Sequence, residues 1–324
     1  MTKAIRIHKT GGPEVLQLED VAVGDPGPGQ VRIRQHAVGL NYIDIYYRTG
    51  HYAPAALPFI PGSEGAGEVV AVGPGVAAFE IGDRVAYAGG LGAYAQERLI
   101  EDRLLVALPK SVAYEAAAAL MLKGLTAQYL LRRTFRVKKG DTVLVHAAAG
   151  GVGQILCQWA WALGATVIGT VSSAEKAKIA KKAGAKHVVN YASQDFADRV
   201  RDITKGKLCD VVYDGVGKAT FPASLDCLSP FGMFVSYGSA SGPVDNFNIG
   251  LLAQKGSLFA TRPTLNTYIA RREDLAKMAK ELFKAVATGA IDVPVHASYP
   301  LEQAGQAQAA LEARATTGST ILIP

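Results

Sequence analysis

The amino-acid sequence predicts an α/β chain of two parts, a β-rich first part folded as a small barrel and a doubly wound parallel sheet. Three observations carry this. Residues 1–110 hold short β-branched runs punctuated by Gly and Pro. From Asp141 onward, apolar strand-like runs alternate with helical segments. The stretch from Val143 to Gly153 passes from an apolar strand straight into a glycine-rich turn. A chain of 324 residues has room for two domains of ordinary size.

In order, strands are expected at 4–8, 30–40, 67–72, 83–87 and 104–108. Turn-forming residues separate them, as in Gly73-Pro74-Gly75. Residues 41–48 read as one short helix, and 114–133, rich in Ala and Leu, as a long helix bridging the two parts. The second part then offers strands at 143–147, 166–171, 187–190, 210–214, 231–237 and 257–261. Helices fit at 152–163, 174–183, 194–204 and 218–227. Gly164 and Gly184 stand where helix C-caps belong. Right-handed crossovers make six such strands a doubly wound sheet. A helix at 267–288, a strand at 295–299, a helix at 301–313 and a strand at 319–323 are too little for a third domain, so they return to the first part.

Composition excludes several classes. Hydrophobic residues make up 49% and charged residues 19%, which rules out a disordered chain. The first fifteen residues lack the apolar core of a signal peptide. The longest apolar run, 116–122, is far short of a membrane span. A cytoplasmic protein with no membrane partner is expected. Cys157, Cys209 and Cys227 form no CxxC pair and are expected as buried thiols. The net charge of +6 comes from scattered Lys and Arg with no interleaved aromatic residues, so RNA is not an expected partner.

The turn Ala148-Ala149-Gly150-Gly151-Val152-Gly153 carries the main chemical signal. A dinucleotide needs its pyrophosphate close to a helix N-terminus, and glycines clear that approach. Ala148 stands where the usual fingerprint has its first Gly. Gly150 allows close approach, and Gly153 allows helix–strand packing. NAD-dependent enzymes place a carboxylate at the end of the second strand. Here Val171 is followed by Ser172, Ser173 and then Lys176, which suit a 2′-phosphate, so NADPH is the expected cofactor. Glu175 is expected to cap the next helix, and Tyr191 to cover the adenine side. His146 is expected as a packed strand-end histidine.

Together, Asn41-Tyr42-Ile43-Asp44, Pro61-Gly62-Ser63-Glu64-Gly65-Ala66-Gly67, Gly82-Asp83-Arg84-Val85, Lys123-Gly124-Leu125-Thr126-Ala127 and the turn at 146–153 resemble the zeta-crystallin-like NADPH:quinone oxidoreductases of the medium-chain dehydrogenase/reductase superfamily. The resemblance runs the full length. It implies a GroES-like β-barrel catalytic domain over 1–124 and 265–324, and a Rossmann NADPH-binding domain over 125–264. It also implies a homodimer paired through the edge strand near 257–261. Its implied cofactor contacts are Asn41, Tyr42, Asp44, Thr126, Ala148, Gly150, Gly151, Val152, Gly153, Ser172, Ser173, Lys176, Tyr191, Tyr237, Gly238, Ser241 and Arg314. Asp44 would orient the nicotinamide ribose. In zinc-dependent relatives a Cys stands at the position of Asn41, a His at that of Ser63, and a third ligand near Lys123, so no catalytic metal is expected.

Without a metal to polarise a carbonyl, the acceptor must already be electrophilic. A quinone meets that need by hydride or stepwise electron transfer, and so does an alkene conjugated to an aldehyde or ketone. A non-catalytic NADPH- or RNA-binding protein is the remaining reading. Asn41 is expected to donate to a substrate oxygen, Tyr46 and Tyr52 to bond or stack on a flat ring, and Lys123 to stabilise a reduced oxyanion.

Overall fold

The computed structural model describes residues 1–324. Two compact units form: Met1–Leu125 with Ile269–Phe283 and Val293–Pro324, and Thr126–Tyr268 with Lys284–Asp292.

In the first unit, β1 (Thr2–Arg6) and β2 (Gln17–Val21) make an antiparallel ribbon. The long strand β3 (Gln30–Gly39) leads into helix α1 (Tyr42–Thr49). Strands β4 (Glu64–Val72), β5 (Arg84–Ala88), β6 (Glu97–Glu101) and β7 (Leu105–Ala107) follow. β3 pairs antiparallel with β4 and with β6, and its register shifts at Arg32/Ile33 and Gln35/Ala37. Such bulges bend a strand and let one sheet wrap around its own core. Val31, Ile33, Val69, Val85, Tyr87 and Ile100 fill that core. Their alternation along each strand is the period-two pattern of a half-buried sheet.

Helix α2 (Tyr114–Tyr129) is followed by a five-residue π turn, Leu130–Thr134, which completes the helix expected over 114–133. The second unit then alternates β8 (Thr142–Val145), α3 (Gly151–Ala162), β9 (Thr166–Val171), α4 (Ala174–Lys182), β10 (His187–Asn190), α5 (Phe196–Thr204), β11 (Cys209–Asp214), β12 (Leu228–Ser236), α6 (Gly250–Gln254) and β13 (Phe259–Thr261). The sheet order is β10-β9-β8-β11-β12-β13, and every pairing is parallel. The order reverses direction between β8 and β11, where α/β sheets open a crevice for ligands. Leu144, Ile168 and Val212 are fully buried at its centre, each contributing roughly 1.5–3 kcal/mol of apolar burial.

Helices α7 (Leu265–Tyr268) and α8 (Arg272–Ala287) replace the single helix expected over 267–288. Strand β14 (Val295–Pro300) runs parallel to β15 (Ser319–Ile323), with α9 (Ala304–Glu312) between them, and β15 adds antiparallel to β3. The sequence reading places all of 265–324 in the first part, whereas residues 265–268 and 284–292 lie in the second unit. There Gln158 holds Asp292 by two hydrogen bonds, at 3.0 and 2.7 Å. The helix expected over 218–227 is also absent. Pro222 cannot supply a helical N–H, and only a short 3₁₀ turn, Ala223–Cys227, forms.

Candidate functional site

The carboxyl ends of the parallel strands gather the residues read as a cofactor site. After β8 the chain turns sharply: Ala147 takes φ 52°, Ala148 N–H donates to Thr170 O at 3.0 Å, and Gly150 N–H donates to Ala147 O at 2.8 Å. Gly150 then caps α3 in an extended conformation. The first-turn N–H groups of Gly151, Val152 and Gly153 precede the helical ladder and form an anion-binding end. A Cβ on Gly153 would lie 2.2 Å from Ala147 O, so only glycine lets α3 pack this close to the turn. The left-handed residue is Ala147, one position before the missing glycine.

At the end of β9, Ser173 is itself the N-cap of α4, accepting from Lys176 N–H at 3.2 Å. The exposed Glu175 carboxylate is held below its ordinary range by its own backbone N–H and by the Ser173 hydroxyl. The cap expected of Glu175 therefore belongs to Ser173, whose proton is already engaged. Ser172 and Lys176, both half-buried, lie at the same strand end. Tyr191 is 40% exposed, and its N–H reaches Val171 O at 3.0 Å, beside the same strand end.

After β11 and β12, Tyr237 N–H bonds Asp214 O at 2.8 Å, and Gly238 packs so closely that a Cβ would meet Gly215 O at 2.6 Å. Ser241 Oγ donates to Val216 O at 2.8 Å and accepts from Ala219 N–H at 2.9 Å. Its side chain thus braces the loop. Thr126 is buried and bonds the Tyr129 phenol. The absence of a carboxylate at the end of β9 fits NADPH.

Sequence reasoning missed the polar network beneath the turn. His146 is fully buried, with Nδ1 2.8 Å from Thr170 Oγ1 and Nε2 3.0 Å from Ser224 Oγ. Ser224 Oγ lies 3.1 Å from Asp214, whose other oxygen accepts from Val216 and Gly217 N–H. Burial lowers the His146 pKa, opposed by the Asp214 carboxylate, and keeps the ring neutral. It is a packed strand-end histidine that ties three elements together.

In the first unit a second network is centred on Glu64, which has no exposed surface. Its carboxylate accepts from Leu122 N–H at 2.6 Å, Asn41 Nδ2 at 2.7 Å and Lys123 Nζ at 3.2 Å. Gly39 makes room for it, since a Cβ there would come within 2.1 Å of the carboxylate. Two expectations change. Lys123 is buried and neutralised by Glu64, so it is no free cation for a substrate oxyanion. Asn41 is 5% exposed and has already given one N–H to Glu64.

Asp44 is corrected as well. It is fully buried in the first turn of α1, accepting from Asn41 N–H at 2.9 Å and Tyr94 OH at 3.0 Å, so its carboxyl cannot grip a ribose. Its second oxygen has no partner. Burial raises its pKa to about 7, with the Asn41 and Tyr94 bonds opposing. The folded state therefore binds a proton that the unfolded chain has released, and stability attributable to Asp44 falls as pH rises from about 4 to 7. Asp44→Asn is expected to gain melting temperature over the native chain as pH is raised from 5 to 8, by a few degrees, roughly 2–4 °C per kcal/mol. Thermal unfolding across that range checks it. A constant difference would mean that Asp44 stays ionised.

α1 is fastened to α9. Arg48, 1% exposed, donates to Gln308 Oε1 at 3.0 Å and Glu312 at 2.7 Å, and Gln308 reaches Tyr94 OH at 3.3 Å. Tyr42 OH bonds Leu311 O at 3.1 Å and the Arg314 side chain, so Tyr42 and Arg314 do come together. At the other end of α1, Tyr46 and Tyr52 meet edge-on with centroids 5.2 Å apart.

Barrel, Rossmann sheet and phosphate turn define the class: a medium-chain dehydrogenase/reductase. Residues 27–110 match the alcohol dehydrogenase GroES-like domain, and 151–285 match the zinc-binding dehydrogenase family. Over the whole of both chains, the sequence is 52% identical to a quinone oxidoreductase of Pseudomonas aeruginosa. It is 49% identical to a 2-haloacrylate reductase of Burkholderia sp., covering 100% and 99% of the two chains. The structure of Escherichia coli quinone oxidoreductase complexed with NADPH superposes with a TM-score of 0.98 at 49% identity, covering 99% of this chain and 100% of that one. Within its class, the chain belongs to the quinone oxidoreductase family. The zinc of the wider family does not fit here. At the positions where the resemblance puts its ligands stand Asn41, Ser63 and, nearby, Lys123, and an ammonium bonded to Glu64 cannot ligate a metal.

Proposed function

We propose that this chain reduces quinones with NADPH. The observation that carries the reading is the full-length likeness to a quinone oxidoreductase bound to NADPH, on a strand end that offers Ser172 and Lys176 and no carboxylate. When bound, the dihydronicotinamide supplies a hydride. The chain's own residues do the rest: the α3 N-terminus and Gly150 hold the pyrophosphate, Lys176 and Ser172 the 2′-phosphate, and Tyr191 the adenine side. Tyr46 and Tyr52 offer a platform for a flat ring, and the buried Asn41–Glu64–Lys123 network fixes the start of α1, the helix that carries Tyr46. No metal is needed, because a quinone is electrophilic unaided.

The test is steady-state oxidation of NADPH with naphthoquinone, benzoquinone and a 2-alkenal. Turnover of the alkenal alone would overturn the quinone reading in favour of C=C reduction. The likeness to a 2-haloacrylate reductase supports that second reading. Lys176→Ala is expected to weaken NADPH about tenfold or more, since a hydrogen bond to a charged group is worth ~1.5–3 kcal/mol, and to leave NADH unchanged. Equal losses for both cofactors would remove Lys176 from the 2′-phosphate site.

The same reading includes a cytoplasmic homodimer. No helix is long and apolar enough to cross a membrane. β13 ends the sheet with one side unpaired and carries Phe259, 56% exposed, while Phe231 on β12 and Ile249 just before α6 are 72% and 75% exposed. Exposed apolar side chains along a free strand edge favour pairing with a second copy. Phe259→Lys is expected to shift the chain to monomer in sedimentation velocity, and an unshifted dimer would place the interface elsewhere.

A further inference from the structure

Two residues past the end of α1 stands an imidazole, His51, that the proposed reaction leaves unused. Gly50 takes φ 81° and stops the helix, and Tyr52 N–H donates back to Tyr46 O at 3.0 Å. This fold-back sets His51 against both tyrosines. Its ring centroid lies 5.1 Å from Tyr46 at 66° and 5.1 Å from Tyr52 at 21°. His51 is exposed, and neither of its ring nitrogens makes a hydrogen bond within the chain. Tyr47, edge-on to Tyr52 at 5.8 Å, closes the cluster.

We propose that His51 is a catalytic residue of the quinone site, lying beside the ring held by Tyr46 and Tyr52 and giving its imidazolium proton to a quinone oxygen. The proposal rests on the quinone reading above. Quinone oxygens project in the plane of their ring, so a ring stacked on an aromatic platform presents them at its rim, where a donor is useful. Hydride transfer brings two electrons and one proton to the quinone, leaving a hydroquinone monoanion one proton short. The imidazolium N–H bond breaks as the O–H bond forms, and the neutral imidazole regains its proton from water. The other candidate acids are poorly placed. Lys123 is bound to Glu64, His146 has both nitrogens engaged, and Asp44 is fully buried. Histidine is the side chain whose charge changes near neutral pH.

The groups facing His51 are the phenols of Tyr46 and Tyr52, with Tyr47 behind, and Asp44 on the same helix titrates near 7. A pH limb in the native enzyme therefore does not by itself identify its source, and the comparison with His51→Leu does. With 1,4-naphthoquinone, native kcat/KM is expected to fall as pH rises. His51→Leu is expected to be about a hundredfold lower at pH 6 and flat. His51→Gln, which keeps a planar donor, is expected to retain KM while losing the limb. In the cofactor-free protein, adding naphthoquinone is expected to shift the His51 Cε1–H resonance, assigned by its loss in His51→Leu. An unchanged pH profile in His51→Leu, or an unshifted resonance, overturns the proposal while leaving quinone reduction standing. Absence of quinone turnover by the native enzyme overturns both.

Discussion

Gly153→Ala is expected to weaken NADPH binding about a hundredfold and to lower the melting temperature, whereas Gly150→Ala is expected to leave the melting temperature nearly unchanged. The added Cβ at 153 would sit 2.2 Å from Ala147 O and 2.9 Å from Ala148 Cα. Both are backbone atoms, so no side chain can rotate away. Relief requires moving either the start of α3 or the turn. The turn is pinned: Ala147 is already left-handed, its carbonyl takes the Gly150 N–H, and Ala148 N–H holds Thr170 O. Forced overpacking costs roughly 1–3 kcal/mol. A displacement of about 1 Å in a group that positions a ligand can cost a hundredfold. At Gly150 the only near contact would be Ala147 O at 3.2 Å, which a slight adjustment relieves. Fluorescence titration with NADPH and calorimetry on both variants check this. Native-like NADPH affinity in Gly153→Ala would mean that the turn does not hold the cofactor.

That turn was legible because its signal is local. The apolar run, the glycines and the following helix lie within a dozen residues. β9 likewise falls at 166–171 as expected, an apolar run bounded by Gly164 and Ser172. β2 and β6 were not legible: Gln17–Val21 and Glu97–Glu101 are short and carry charges that the ribbon and barrel surface leave near water. α6 is only five residues long and offers no period to read. The least legible features are long-range. Lys123 reads as a free cation in the sequence because its partner Glu64 is 59 positions away. Asp44 reads as a ligand contact because nothing nearby foretells Tyr94 closing over it. A polar residue shows its chemistry in sequence, but only the fold shows whether that chemistry is already spent.

Lys123→Met is expected to destabilise the chain by about 3–5 kcal/mol, the usual cost of leaving one member of a buried ion pair alone. Glu64 has no contact with water, so without Nζ its charge rests on Asn41 and Leu122 N–H only. Glu64→Gln strands the ammonium instead and is expected to cost a similar amount. The double variant Glu64→Gln/Lys123→Met removes both charges while keeping an acceptor for one of the two neutral donors, and it is expected to recover most of the loss. Urea unfolding of the four proteins gives the coupling directly. Additive losses would show that the pair does not act as a unit. The Lys123 ammonium neutralises a buried carboxylate at the root of α1. Its charge is consumed within the fold. Removing both charges should therefore harm substrate turnover chiefly by loosening Asn41, and the double variant's kcat should follow its stability more closely than its charge.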